Sequence, residues 1–461
     1  MSTDTTLEVS DEARRRAALP TDRLGRNYFK LFGASTISNL GDGIGIIAYP
    51  WLASAVTRHP LLIALVGVVQ RLPWLLFSLP AGVITDRHDR RTLMIAANLI
   101  RSVLTLGVAF VVLSQQGMLP GPDAVDAGAV LGTDALLYSM VLLATLLLGF
   151  AEVLYDNSAQ TFMPAIVHAD RLEKANGRLW SAELVSNIVA GPPLGALLLV
   201  AAFSVPFFVD AGTFFISAVL IALIPATKRV PKPASAGAAP PSWTTELRVG
   251  FRWLWNHDLL RPMAVILGLL NMLGTMSTAT MVLFAQEVLE TSPTEFALLS
   301  TGGAVGGAVG GWTASQIAQR IGSGPSLYLT LIVGGLTTFL IGFATNWLFV
   351  WAMFAIFMLL AVLWNVITVS LRQTIIPDEL LGRVNSVYRF FAWGMMPIGA
   401  ALGGLTVFVT DAFGSRELAL RMPFFVAGAL NVALFFFAAP RLTSARIDGA
   451  RSAGMTNSSV S

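Results

Sequence analysis

Runs of about 20 apolar residues recur from near the start of this chain to near its end, and few folds can accommodate them. LLIALVGVVQRLPWLLFSLPA (Leu61 to Ala81) and TLMIAANLIRSVLTLGVAFVVL (Thr92 to Leu113) are two of them. A helix of such a run spans a hydrocarbon core of ~30 Å. Lipid offers the backbone no hydrogen-bond partners, so each run must satisfy its own, and helices are the expected form. Composition agrees: 55% of residues are hydrophobic and 12% charged, against about a quarter charged in a soluble domain. The first 27 residues lack an apolar core and do not read as a signal peptide, which leaves the first span as the insertion signal.

Apolar runs read against turn signals give twelve spans, centred near Asp42, Leu72, Val103, Thr145, Ile188, Phe215, Leu273, Ala304, Gly334, Phe357, Met396 and Leu430. The Gly-rich eighth, STGGAVGGAVGGWTA, carries the weakest signal. An even number puts both termini on one side. That side collects Arg14, Arg15, Arg16, Arg23, Arg26 and Lys30, then Arg87, Arg90 and Arg91, and most later bases; the opposite loops hold only Arg58, Arg416 and Arg421. By the positive-inside rule both termini are cytoplasmic. The expected fold class is therefore all-α integral membrane, with twelve transmembrane helices in two six-helix bundles.

Ala226 to Trp243, ATKRVPKPASAGAAPPSW, is a basic Pro/Ala/Ser-rich linker. Beyond it Leu247, Phe251, Leu254 and Trp255 recur at helical spacing, which fits an amphipathic surface helix and equally an extension of the seventh span. The expected division is a cytoplasmic tail over 1–27, a bundle over 28–225, a linker over 226–260, a second bundle over 261–440 and a tail over 441–461. GPPLGALL (Gly191 to Leu198) is echoed by MPIGAALGGL (Met396 to Leu405), and the loop beginning at Gly82 by one beginning at Gly311. Six plus six helices with weak internal symmetry suit two bundles rocking about a central site.

GVITDRHDRR (Gly82 to Arg91) concentrates charge between two apolar spans. It resembles the G-x-x-x-D-R-x-x-R-R signature between helices two and three of the major facilitator superfamily. Gly82, Asp86, Arg87, Arg90 and Arg91 fall on the pattern, and Asp89 stands where a second glycine is usual. ISNLGDGIGIIAYPWL, GFAEVLYDNSAQTFMPAIV and LRQTIIPDELLGRVNSVYR are similar to the macrolide-efflux and enterobactin-exporter branch. The resemblance implies a proton-coupled exporter of antibiotics, siderophores or other bulky amphiphiles. It also implies an inner gate in which Asp86 meets the positive end of the eleventh helix near Val384–Ser386, while Arg87, Arg90 and Arg91 reach nearby acids or lipid phosphates. A topology anchor is the alternative role for Arg90 and Arg91. Many drug antiporters carry an Arg in the fourth span; this one has none, so that relay does not transfer.

Charges within a span are costly and mark candidate sites. Asp42 and Arg71 lie at similar distances from the hairpin between the first two spans, which places them at similar depth and suggests an ion pair, for coupling or for structure. Arg101 with Glu152 or Asp156 makes a second candidate pair; Asp156 also fits the headgroup region. Glu183 and Asp210 fall near helix ends and read as interfacial, and Glu287 ends the seventh span on the outer side. Proton coupling is assigned to Asp42, Arg71, Arg101 and Glu152. Asn271, Met272, Met276, Trp364, Asn365, Phe390, Phe391 and Trp393 offer an adaptable apolar surface for a bulky ligand.

The absence of cysteine excludes disulfides and thiol chemistry. His59, His88, His168 and His257 lack metal-ligand spacing, so no metal, cofactor or enzymatic activity is expected. No phosphate-binding GxxxxGK[ST] loop occurs, and dispersed bases argue against a nucleic-acid partner. The expected partners are an amphiphilic small molecule, protons and the bilayer of a bacterial-type plasma membrane, with the protein a monomer. Proton-coupled nutrient uptake and a non-transporting sensor or scaffold are the alternatives.

Overall fold

The computed structural model describes residues 24–115, 117–120, 134–168, 171–225 and 243–458. Among these residues every regular element is helical. The first half provides α1 (Gly25–Val56), α2 (Pro60–Arg87), α3 (Arg90–Ser114), α4 (Ala135–Ile166), α5 (Leu172–Leu184), α6 (Gly191–Ala201) and α7 (Val205–Ala222). The second provides α8 (Trp243–Asn256), α9 (Leu260–Thr278), α10 (Met281–Glu287), α11 (Pro293–Ile321) and α12 (Ser323–Ile341). It continues with α13 (Trp347–Ile375), α14 (Asp378–Asp411), α15 (Arg416–Ala438) and α16 (Ser444–Ser458). Ten described stretches are long and apolar enough to cross a bilayer. α1 and α11, at 32 and 29 residues, have the length but not the hydropathy. They are the helices expected around Asp42 and through the glycine-rich eighth run.

The chain divides into two compact units. One comprises Met1–Tyr49, Leu76–Met118 and Ala135–Pro240. Its core draws Tyr28 and Leu31 from α1, Met94 from α3, Phe162 from α4 and Ile221 from α7. The C-terminal end of α7 leaves carbonyls without intrahelical partners. Lys30 Nζ donates to Leu223 O (2.5 Å), and Arg91 donates to Ile221 O (3.3 Å) and Ala222 O (2.5 Å). Three carbonyls at the negative end of a helix dipole thus meet two cations. Between α5 and α6, Val185–Ala190 forms a π-helical turn. Pro192 and Pro193 come one residue later and have no N–H to continue an α-helical ladder back into this turn, which accounts for the irregularity.

The other unit comprises Pro50–Leu75, Leu119–Asp134 and Pro241–Ser461. It includes the last turns of α1 and the first half of α2. Gly394 there has no Cβ, and one would come to 3.0 Å from Leu75 Cδ1. The two glycine series of α11 separate by face. Gly302, Gly306 and Gly310 lie against Trp351, Ala355 and Leu359 of α13, four residues apart on both helices. Gly303 and Gly307 approach only the Met358 side chain, and Gly311 faces open space. One series therefore serves close packing.

α8 is a helix of its own rather than the start of α9. The chain breaks at His257, whose Nδ1 accepts from the N–H groups of Leu259 and Leu260, both at 3.2 Å. Leu254 is buried, while Phe251 and Trp255 stack on each other and on Phe391 of α14. The loops expected to begin at Gly82 and Gly311 begin later. α2 stays helical through Arg87 and α11 through Ile321, because charged residues tolerate the helix end as readily as a turn. α3 then starts on a side-chain cap, with Asp89 accepting from Thr92 N (2.8 Å) and Thr92 Oγ1 (2.8 Å). The residue that departs from the motif thus has a local task.

Candidate functional site

In the first unit one guanidinium lies among several carboxylates. Arg101, buried on α3, pairs with Asp42 of α1 through Nη2 and donates from Nη1 to Ser38 Oγ (3.3 Å). Its Cζ stands 3.9 Å from the centroid of the Phe214 ring on α7. Glu152 and Asp156 of α4 and Asp210 of α7 are near enough to act electrostatically on it. Around this group run further polar contacts: Ser35 with Tyr155 (3.1 Å), Asn98 Nδ2 to Ser217 Oγ (2.8 Å) and Ser102 Oγ to Ala211 O (2.8 Å).

Glycines make the approach possible. Asp42 sits in a Gly-Asp-Gly step. The space a Cβ of Gly41 would occupy is filled by the side chains of Asp210 and Thr213. A Cβ on Gly43 would stand 2.7 Å from Asn187 O and 2.8 Å from Gly191 Cα, at the π-helical turn and the start of α6. α1 is therefore closely packed on both sides of its one acid, against side chains at Gly41 and against backbone at Gly43.

This arrangement corrects the expected pairing. Asp42 is bound by Arg101 and not by Arg71, which is exposed and makes no ion pair among the described residues. Equal distance from a hairpin fixes depth; it does not fix the direction a side chain faces. The expected ion pairing of Arg101 with Glu152 or Asp156 gives way for the same reason, although both acids are close. Asp210 is a second correction: it is 3% exposed at the sixth position of the 18-residue α7, packed among helices rather than solvated. Its signal was present in the sequence, as one acid inside VPFFVDAGTFFISAVLIA. GDG in the first span and GPPLG in the fifth were likewise a legible pair of close-approach sites.

The residues of the charged motif occupy the ends of α2 and α3. Gly82 has open space around it, and Arg87 is exposed in the last turn of α2. The side chain of Asp86 lies outside the described residues. Arg90 donates to Thr161 O of α4 (2.7 Å), and Arg91 holds the end of α7. Each of these two arginines thus has backbone carbonyls among its acceptors.

A second charged group stands in the other unit. Glu287 at the end of α10 receives Arg416 Nε at 2.8 Å and Nη2 at 3.3 Å, and Arg58 Nη1 at 3.4 Å. Arg416 also donates to Asp411 (2.9 Å) and to Arg58 O (2.9 Å). Arg58 donates to Gln286 (2.6 Å), which in turn donates to Ser54 (3.0 Å). Thr57, His59 and Pro60 complete the cleft around these charges. The network ties the tip of the α1–α2 hairpin to α10 and α15.

Of the residues assigned to a ligand surface, Met276 and Trp364 are packed into the interior of the second unit. Asn271 donates to Ala392 O (2.8 Å), and Met272 lies against Gly399, both at the α9–α14 contact. Trp393 packs on Trp74 with centroids 4.5 Å apart. Phe390 and Asn365 are exposed, and Phe391 belongs to the stack under α8.

Two helical units with ten stretches long and apolar enough to cross a bilayer agree with what family comparison finds. The family model of the Major Facilitator Superfamily matches residues 31–395. The chain belongs to that superfamily. It is 24% identical over 423 residues to the multidrug efflux pump Tap of Mycolicibacterium fortuitum, covering 88% of this chain and 94% of Tap. It is 25% identical over 390 residues to the enterobactin exporter EntS of Citrobacter koseri, covering 82% of this chain and 85% of EntS. Among solved structures, the nucleoside transporter NupG aligns with a TM-score of 0.63 at 12% identity, over 89% of this chain and 98% of NupG. A bacterial homologue of the iron transporter ferroportin aligns with a TM-score of 0.64 at 17% identity, over 90% and 99%. This superfamily member is thus a multi-pass membrane protein with a transporter fold.

Proposed function

We propose that this transporter exports amphiphilic small molecules from a bacterial cell across the plasma membrane, in exchange for protons. In this reading α1–α7 and α9–α15 supply twelve spans, with both termini cytoplasmic and a bundle at 28–225 and at 261–440. The observation that carries the coupling is the Asp42–Arg101 pair midway along α1, with Asp156 and Asp210 near enough to act on the same guanidinium. One cation neutralises one carboxylate. Every further acid buried in a span needs a proton or another cation, so the cluster is suited to bind and release protons. Export rather than uptake is supported by the relatives Tap and EntS, whose names record efflux. Of the ligand surface read from the sequence, Phe390 on α14 and Asn365 on α13 are exposed and suit contact with a bulky ligand.

The test uses everted membrane vesicles and a panel of fluorescent dyes, macrolides and siderophores. A transported compound should release protons from acidified vesicles. A panel that moves without any linked proton flux overturns the coupling. In Asp42→Asn, gradient-driven efflux should fall to background while substrate exchange at equal pH persists; unchanged efflux removes Asp42 from the pathway.

A further inference from the structure

Asp210 has no place in the charge pairing described so far, yet it is more deeply buried than Asp42. Asp42 and Tyr49 on α1 and Arg101 on α3 lie close enough to interact with it electrostatically. On its own helix Thr213 donates to its carbonyl (2.7 Å) and lies 3.4 Å from its Oδ1. Glu152 and Asp156 on α4 act on the same Arg101, and Glu183 on α5 feels Asp42. Among the described residues Arg101 is the cation that acts on both Asp42 and Asp210, and its Nη2 is given to Asp42.

The geometry around Arg101 leaves a way to Asp210. The guanidinium lies over Phe214, one helical turn beyond Asp210 on the same face of α7. Its Nε is buried and has no acceptor among the described residues. The Asp210 carboxylate enters the gap left by the missing Cβ of Gly41, one residue from Asp42. Two acids on α1 and α7 therefore flank one base on α3, and the base uses only one of them.

We infer that Asp210 is the alternate partner of Arg101, and that Asp42 and Asp210 share a single proton which changes place when the guanidinium does. This rests on the proton-coupled reading above and names the second carboxylate of that coupling. With Arg101 on Asp42, Asp42 is ionised and Asp210 carries the proton. Protonation of Asp42 from solvent breaks the ion pair. Arg101 then moves to Asp210, which gives its proton to water, and the guanidinium stays charged throughout. One proton is gained at Asp42 and one lost at Asp210, so the pair always holds one proton and the cluster's charge is conserved. Because the two acids sit on different helices, a movement of α1 against α7 changes which of them the base can reach. Asp210 is a coupling residue in this scheme and need not touch the cargo.

The experiment reads the protons directly and needs no cargo. Infrared difference spectra are recorded on the purified full-length protein at neutral pH, in the region of the protonated carboxyl C=O stretch. Asp210→Asn should remove the intensity of one carboxylic acid. Asp42→Asn should remove the same band, because Arg101, left without Asp42, takes Asp210 and ionises it. Asp210→Glu should restore a shifted acid band, and thermal melting verifies that each variant is folded. If Asp42→Asn keeps the band that Asp210→Asn removes, Asp210 holds a permanent structural proton and the exchange is refuted. If Asp210→Asn leaves the spectrum unchanged, Asp210 is ionised and the inference falls. Should Asp42→Asn fail to fold, Asp42→Ser in the Asp210→Glu background decides the same question: exchange removes the shifted band, and a permanent structural proton keeps it. Proton flux in vesicles of the unmodified protein is judged separately, so loss of the exchange and loss of proton-driven export are distinct results.

Discussion

Glu287→Gln removes one charge and almost no volume from the network that holds the α1–α2 hairpin tip. The glutamate is bound by Arg416 at 2.8 and 3.3 Å and by Arg58 at 3.4 Å, and these side chains are 20%, 31% and 16% exposed. Unit charges about 4 Å apart attract by ~4 kcal/mol at an effective dielectric near 20, before desolvation and screening are subtracted. Breaking a fully buried pair costs ~3–5 kcal/mol, and an exposed one ~0–1. A partly exposed, two-point contact belongs between these limits, at ~2 kcal/mol. Glutamine keeps an acceptor for Arg416 and leaves Asp411 as its only carboxylate.

If these contacts form only while the hairpin tip stays docked, the loss shifts the docked-to-open equilibrium by ~30-fold, since 1.4 kcal/mol is a factor of ten. The chain contains no cysteine, so a single introduced thiol reports without background. Ala55 is fully buried near the end of α1. Maleimide labelling of Ala55→Cys from the outer face should accelerate by ~30-fold in the Glu287→Gln background, the population shift being read directly. Glu417→Gln is the control: its pair with Arg421 is an i,i+4 contact with Glu417 64% exposed, and labelling should change less than ~2-fold. A labelling rate in Glu287→Gln equal to the parent would show that the network does not hold the hairpin, and the reasoning would fail.

Other variants probe other parts of the structure. Gly306→Ala should lower thermal stability by ~2 kcal/mol, because its Cβ would overlap Ala355 O and stand 2.6–2.7 Å from Ala355 C and Cα; Gly311→Ala, in open space within the helix, should not lower it and should raise it by up to ~1 kcal/mol. Arg91→Gln removes a cation from the C-terminal end of α7 and should cost ~1 kcal/mol in the same melts, an effect that salt should diminish. His257 gives a pH dependence whose sign follows from burial. Burial holds its imidazole below the ordinary value of 6.5, and its Nδ1 accepts two N–H groups, so only the neutral ring caps the start of α9. The unfolded chain binds the proton more readily, so this stabilisation is complete above pH 6.5 and is lost as pH falls through the lower folded value. His257→Asn should flatten that part of the stability profile, as followed by melting between neutral and acid pH.

Much of the architecture was legible because lipid imposes a simple rule on sequence. Spans at Leu61–Ala81 or Thr92–Leu113 announce themselves by length and hydropathy, and the helices found there follow. The first and eighth spans were harder: Asp42 and the glycines of α11 lower the hydropathy of helices that packing nonetheless holds. The ends of α2 and α11 were misplaced by several residues, since a charged segment reads alike as a helix terminus and as a loop. Proline told more, with Pro192 and Pro193 marking the irregular turn before them.

At the site, residue identity was readable but partnership was not. Asp42, Arg101 and Glu152 stood out as charges in apolar runs, and all three meet in one cluster. Arg71 stood out equally and lies elsewhere, exposed. Sequence by itself determined the class of molecule, the helices and the superfamily motif, because hydropathy and a rise of about 1.5 Å per residue are local quantities. Tertiary structure alone decided that Arg101 takes Asp42, that Asp210 is buried beside Gly41, and that Arg58, Glu287 and Arg416 converge. Those outcomes depend on the rotation of each helix about its axis and on the neighbours it meets, and both are set by packing between segments far apart in the chain.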